Sequence, residues 1–152
     1  MDTNMDTNVG AHIDTRARVA AMLARDNCAG ALGVEVVNAS PGLLDLRMTI
    51  RAEHLNFLKW GHGGVLFTLA DTAFGMASNT YDRVSVGIDA HISYLSGVRE
   101  GDVIEARARE ISRTRRKAVY RVDVVRPSDD VAVVAFTGTV FVTEQNLADL
   151  GL

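Results

Sequence analysis

Between Gly64 and Ser78 the chain carries Val65, Leu66, Phe67, Leu69, Ala70, Ala73, Phe74, Met76 and Ala77, which at helical pitch leave no continuous polar face. A helix apolar nearly all round has to be buried, so the rest of the chain must wrap it. The wrapping reads as strands. Leu43 to Arg51 alternates strictly, with Leu44, Leu46, Met48 and Ile50 opposing Asp45, Arg47, Thr49 and Arg51, the period of a sheet with one wet face. Gly33 to Ala39 before it, and the Pro41-Gly42 turn between them, complete a hairpin. Four more runs follow the helix: Val84 to Leu95, Val103 to Ile111, Val119 to Arg126 and Val131 to Val142. Turn signals separate them, and in the first of them Val84, Val86, Ile88, Ala90, Ile92 and Tyr94 predict one buried face. The expected class is α+β, a predominantly antiparallel sheet covering one central helix.

Ahead of the hairpin, residues 12–27 space Ile13, Ala17, Ala20, Ala21, Leu23 and Ala24 as a short amphipathic helix that lies across the main body. With 152 residues, 47% of them hydrophobic, the chain can bury one sizeable core. One domain is expected over 12–144, between a polar tail at 1–11 and a C-terminal tail at 145–152. The formal net charge of -3 gives no overall attraction for nucleic acid or an anionic membrane. Cys28 is the only cysteine, so no intrachain disulfide can form, and a reducing compartment is the simplest expectation. The start has neither the basic residues nor the apolar run of a signal peptide, and no stretch approaches the roughly 20 apolar residues of a spanning helix. A cytoplasmic protein is expected.

Asp71 is the residue that bears most on chemistry. It lies mid-helix with Phe67, Phe74 and Gly75 as near neighbours, and aspartate is almost never fully buried unless paired or used. It could sit on a solvent strip or answer an arginine; equally, desolvation would raise its pKa and make it a better base. His62-Gly63-Gly64 opens the same helix. The first N–H groups of a helix have no intrahelical partner and face the positive end of its dipole, and glycine lets a ligand approach them. That is the arrangement of an oxyanion hole, although a glycine-rich turn before a helix is common. Gly63 and Asp71 are eight residues apart, roughly 12 Å along a helix, too far to serve one carbonyl. If both act, helices of two subunits must run antiparallel about a two-fold axis, and an isolated monomer is expected to be inactive.

His54-Leu55-Asn56, His62 through Phe74 and Ser78-Asn79-Thr80, continued by Arg115 to Val122 and Phe136 to Phe141, resemble the phenylacetate-degradation (PaaI-like) branch of the hotdog thioesterases. The resemblance covers about residues 30–142. It implies a hotdog fold, with Asp71 as general base or nucleophile and the Gly63 N–H as oxyanion donor. Asn56 falls where relatives place a polar group near the thioester or water, His62 shapes the turn, and Gly64 beside it contacts the substrate. Asn56 and Gly63 would come from one subunit and Asp71 from its neighbour, in a dimer or dimer of dimers. Phe57-Leu58-Lys59-Trp60-Gly61 replaces a Gly/Thr-containing stretch frequent in the family, which puts the shape of the acyl pocket in question. Gly87 stands where some relatives carry a water-orienting hydroxyl.

The resemblance implies hydrolysis of acyl-CoA, with phenylacetyl-CoA or its ring-hydroxylated derivatives as expected substrates. Arg113, Arg115, Arg116 and Lys117 place four cations within five residues, suited to the phosphates of coenzyme A or simply a solvated hairpin end. A wider basic surface with exposed aromatics would be needed for nucleic acid. No metal-ligand spacing, nucleophile elbow or phosphate-binding glycine loop appears, so no metal and no bound cofactor are expected. The rival reading is a hotdog module that binds or senses acyl-CoA without turnover, since fold alone does not fix function. A hydratase on the same fold would want a catalytic histidine paired with an acid, a part His62 in its turn does not fit.

Overall fold

Helix α3, Gly63–Ser78, buries Leu66, Leu69, Ala70, Ala73, Phe74, Met76 and Ala77. The structure, a computed structural model, describes residues 14–152, so the expected tail at 1–11 lies outside the described residues. Six strands wrap α3: β1 Glu35–Ser40, β2 Leu43–Thr49, β3 Arg83–Tyr94, β4 Val103–Arg113, β5 Lys117–Arg126 and β6 Val131–Asn146. They form one sheet in the order β1-β2-β4-β5-β6-β3, with every neighbouring pair antiparallel. The expected class is therefore found, with boundaries within a few residues of those read from the sequence.

The core is the contact between α3 and the inner face of the sheet. Phe74 meets Tyr120 edge-on at 5.9 Å and Phe136 at 5.5 Å between ring centroids. Gly138 makes room for that ring, since a Cβ there would sit 2.6 Å from it. Gly87 is also close: a Cβ would lie 3.2 Å from Phe74. The absent hydroxyl at position 87 thus has a packing reason.

Four details differ from the expectations. First, α3 is not apolar all round. Gly64, Thr68, Asp71, Thr72, Gly75 and Asn79 make a strip that stays exposed or half-buried. Small residues between Asp71 and Asn79 disguise it in a hydrophobicity pattern, because glycine and threonine break no apolar run. Second, the helix expected over 12–27 is two. Helix α1, Thr15–Arg25, ends at Asp26, whose side chain then caps α2, Asn27–Leu32, by accepting from the Ala29 N–H at 2.9 Å. Third, the expected alternation of β3 is broken: its pairing with β6 slips between Gly87 and Asp89, Ser85 is buried and Gly87 rather than Val86 faces Phe74, and Val86 and Ile88 are left 46% and 55% exposed on a strand at the sheet's edge. Fourth, residues 145–152 are no loose tail. After β6 a 3-10 turn, Leu147–Leu150, buries Leu147. The Leu147 N–H donates to the Asp82 carbonyl at 2.8 Å, and Arg25 donates to the Leu150 and Gly151 carbonyls at 2.6 and 2.9 Å.

Among the described residues no helix is long and apolar enough to cross a membrane.

Candidate active site

Asp71 projects from the small-residue strip of α3 between two clefts. The larger, about 560 Å³, is lined on the α3 side by Thr68, Asp71, Thr72, Gly75, Met76 and Asn79 and on the other by Met22, Arg25, Asp26, Asn27, Cys28 and Leu152. The second, about 440 Å³, separates Asp71, Phe74 and Gly75 from Gly87, Ile88, Asp89 and Ala90 of β3. Water still reaches the Asp71 side chain, yet enough protein surrounds it for desolvation to raise its pKa above the ordinary aspartate value. None of the hydrogen bonds or ion pairs among the described residues involves its carboxylate. Of the two readings left open by the sequence, the solvent strip is correct about location, and the arginine partner is absent.

The start of α3 shows which backbone donor is available. His62 is the N-cap, and its Nδ1 accepts the Gly64 N–H at 2.8 Å, which places the proton of a neutral ring on Nε2. His62 O accepts from Val65 and Leu66. Gly64, expected to offer its backbone to substrate, therefore has its N–H already engaged, and the Gly63 N–H is the one left without an acceptor among the described residues. His62 itself is held by its own N–H, which donates to the His54 carbonyl at 2.8 Å.

Asn56 has a different immediate task from the one expected. Its Oδ1 accepts from the Leu58 and Trp60 N–H groups at 2.9 and 3.1 Å, which ties the 56–60 loop into a closed turn. Only its Nδ2 is left to face a ligand. The same loop holds Phe57 and Leu58 out at 90% and 60% exposure, and Trp60 lies under the Arg99 guanidinium at 3.1 Å from the ring centre.

The four cations of the β4–β5 turn divide. Arg113 is half-buried: it donates to Glu110 at 2.8 Å and to the Tyr120 hydroxyl at 3.1 Å, and stacks on Tyr81. Burial acts to raise the Glu110 pKa, but bonds from Tyr120 and Arg113 outweigh it and hold the carboxylate below its usual range. Arg113 is thus engaged within the protein, and it also lines a cleft of about 330 Å³ beside Arg115, Arg83 and Tyr81. Arg116 lies 3.4 Å from Glu144. Arg115 and Lys117 are exposed, with no charged side-chain partner among the described residues.

Two groups of residues near the site carry no sequence signal. Tyr94 donates its hydroxyl to the Gly63 carbonyl at 3.0 Å and packs its ring against that glycine, where a Cβ would stand 3.2 Å from it. The α1–α2 junction reaches the cleft from more than forty positions upstream, a proximity no local spacing encodes.

The family model for the thioesterase superfamily matches residues 61–133, from just after the 56–60 loop through α3 to the start of β6. The acyl-coenzyme A thioesterase PaaI of Escherichia coli K12 is 35% identical over 105 residues, which cover 69% of this chain and 75% of that protein. The chain belongs to the thioesterase superfamily. Its fold is that of the superfamily's hotdog members: the solved E. coli PaaI protein from the phenylacetic acid degradation operon superposes with a TM-score of 0.84 at 30% identity, over 87% of this chain and 95% of that one. A protein of Streptococcus pneumoniae described as a hypothetical thioesterase, solved with coenzyme A, superposes with a TM-score of 0.71 at 27% identity, over 74% and 87%. The chain is a thioester hydrolase of the acyl-CoA thioesterase type, so the non-catalytic reading is set aside.

Proposed function

We propose that this thioesterase hydrolyses aryl acyl-CoA substrates, with phenylacetyl-CoA and hydroxyphenylacetyl-CoA as the intended pair, in an active site shared by two subunits in the cytoplasm. The observation that carries the reading is Asp71, an unpartnered carboxylate with a raised pKa on the wall of a cleft, on the same helix as an open Gly63 N–H. The two lie roughly 12 Å apart along the helix axis, so a two-fold pairing brings Gly63 of one subunit to Asp71 of the other. The long bare edge of β3 supports that pairing: an unprotected edge with apolar side chains invites a second copy to continue the sheet. Dimers that pair again into tetramers are compatible with it.

In this arrangement the thioester carbonyl oxygen takes the Gly63 N–H, which stabilises the negative charge formed when the carbonyl carbon becomes tetrahedral. Asp71 accepts a proton from water as the water oxygen bonds to that carbon; the C–S bond then breaks and the coenzyme A thiolate takes a proton. Attack by the Asp71 carboxylate itself, through a mixed anhydride that water then opens, uses the same geometry. Arg115 and Lys117 are the cations free to meet the phosphates of coenzyme A, joined by Arg116 if its contact with Glu144 yields.

Thiol release from phenylacetyl-, hydroxyphenylacetyl-, benzoyl- and straight-chain acyl-CoAs, for wild type beside Asp71→Ala, tests the substrate and the residue together. Fastest turnover of the phenylacetyl pair, abolished by the substitution, is expected. Faster turnover of straight chains would overturn the aryl assignment, and a fully active monomer by native mass measurement would overturn the shared site.

A further inference from the structure

We infer that the 560 Å³ cleft beside Asp71 receives the acyl group, and that the α1–α2 junction and the 147–152 segment, clasped together by Arg25, determine which acyl groups fit. The inference rests on the assignment of Asp71 above and adds the pocket that the substrate's acyl end occupies. Its volume is within the usual 300–1,000 Å³ of small-molecule sites. Across the cleft from α3, Met22 is half-buried against the core, and Leu152 stands at the border of the cleft where the 147–152 segment returns to α1. With Met76 from α3 they give the cleft an apolar portion, while Asp71, Thr68 and Thr72 make its polar wall. A thioester laid along this gradient puts its carbonyl at the carboxylate and its acyl group among two methionines and a leucine. Methionine is unbranched and adapts to ligands of different outline, so compact aryl and medium-length alkyl groups are the chemical class this pocket takes.

The far wall is a built one. Arg18, buried, donates to the Thr80 and Tyr81 carbonyls at 3.2 and 2.8 Å and anchors α1 to the loop beyond α3. Asp26 fixes the bend between α1 and α2. Arg25 then reaches from the last turn of α1 to two carbonyls of the 147–152 segment, so the position of Leu152 depends on that guanidinium. Arg25 in this account is a positioning residue that acts on selectivity through the segment it holds.

Cys28 offers a reporter, because it is the only cysteine of the chain, is exposed and lines the same cleft. The experiment measures the rate of Cys28 alkylation by a maleimide in the intact wild-type protein, with saturating phenylacetyl-CoA analogue whose thioester sulfur is replaced by methylene, or with desulfo-coenzyme A. Slowing of about fivefold or more by the acyl analogue and little by desulfo-coenzyme A is expected if the acyl group fills the cleft. Equal protection by both, or none by either, overturns the inference. In parallel, Met22→Trp should shift the ratio of kcat/KM between phenylacetyl-CoA and acetyl-CoA by about tenfold or more, the size of effect that a group filling an apolar pocket produces. Arg25→Ala should shift the same ratio less. A uniform change across the acyl panel would count against the pocket, and circular dichroism on each variant confirms the fold. Loss of activity in Asp71→Ala together with an unprotected Cys28 would leave the catalytic assignment standing and remove the acyl pocket; protection of Cys28 with unimpaired Asp71→Ala would do the reverse.

Discussion

Around the C-terminal end of α3, side chains take up the backbone groups densely. Asn79 donates to the Gly75 and Ser85 carbonyls and accepts from the Ser85 N–H. Thr80 Oγ1 donates to the Ala77 carbonyl and accepts from the Gly42 N–H, while Arg18 holds the Thr80 and Tyr81 carbonyls and its charge meets Asp82 at 3.1 Å. At the N-terminal end, His62 engages the Gly64 N–H and leaves that of Gly63 open. One end of the helix ties helix, hairpin and edge strand together; the other keeps a donor in reserve. An unpaired N–H in water-accessible backbone costs little until it is buried, so the open end is tolerable in the free enzyme, and the proposed mechanism gives it the substrate carbonyl as its acceptor. Substitutions at the two ends should therefore separate, the C-terminal set lowering stability and the N-terminal set lowering turnover.

The largest expected effect lies between the two ends. Asp71→Asn should lower kcat by roughly 10²- to 10⁴-fold, the usual yield of a positioned base, without loss of fold. The raised pKa gives this prediction a sign. In the folded chain the proton is held more tightly than in the unfolded one, so ionised Asp71 works against stability at neutral pH and not at low pH. Asp71→Asn should melt higher than wild type at neutral pH, and the gap should close as pH falls below the ordinary carboxylate range. The kcat/KM of wild type should rise with pH through an apparent pKa above the usual aspartate value. A melting difference that grew toward acid would contradict the desolvated environment.

Next in size is the tied end. Arg18→Ala strands two carbonyls of the 80–82 loop and empties a buried site, which should cost about 2–6 kcal/mol at the 1–3 kcal/mol usual for each unsatisfied buried group. Urea unfolding should show a lower midpoint with an unchanged slope, while turnover per folded molecule at saturating acyl-CoA stays close to wild type. Turnover lost in step with Asp71→Asn would break the proposed division between the ends.

His62→Ala comes third. Losing the N-cap acceptor should reduce stability by about 1 kcal/mol, and the freed Gly64 N–H would compete for the substrate oxygen. A severalfold fall in kcat with little change in KM, read beside the unfolding midpoint, would place His62 as a residue that keeps the Gly63 donor in register.

The sequence carried the class and the order of elements because the two periods, near-continuous apolar over 64–78 and alternating elsewhere, are local properties that the sheet and helix both obey. The places of Asp71 and Gly63 in the fold were legible for the same reason, one a charge inside an apolar run and the other a glycine at a helix start. Three features beyond the Tyr94 and α1–α2 contacts were not legible. The open strip on α3 is written in glycine and threonine, which a hydrophobicity pattern passes over. The slip in β3 between Gly87 and Asp89 puts Val86 and Ile92 on different faces, and an extra residue in a strand leaves the apparent alternation of the sequence unchanged. Arg113 could not be told from Arg115, because its partners Glu110, Tyr120 and Tyr81 come together only when β4, β5 and the end of α3 meet.

Tyr94 sharpens the comparison most finely, because the structure places it on the N-terminal end of α3 from across the molecule. Its hydroxyl donates to the Gly63 carbonyl and its ring lies against the same glycine, so it restrains the residue whose N–H is left open. Tyr94→Phe keeps the ring and removes only the bond. A neutral hydrogen bond at a partly exposed site contributes about 0.5–1.5 kcal/mol, so the unfolding midpoint should barely move. If Tyr94 merely packs, kcat should not change either. If it orients the Gly63 peptide, kcat should fall by about two- to tenfold while KM stays put, as befits an interaction felt in the transition state more than in the bound substrate. A rise in KM at constant kcat would instead make Tyr94 part of the substrate's binding wall and leave His62 alone in charge of the donor.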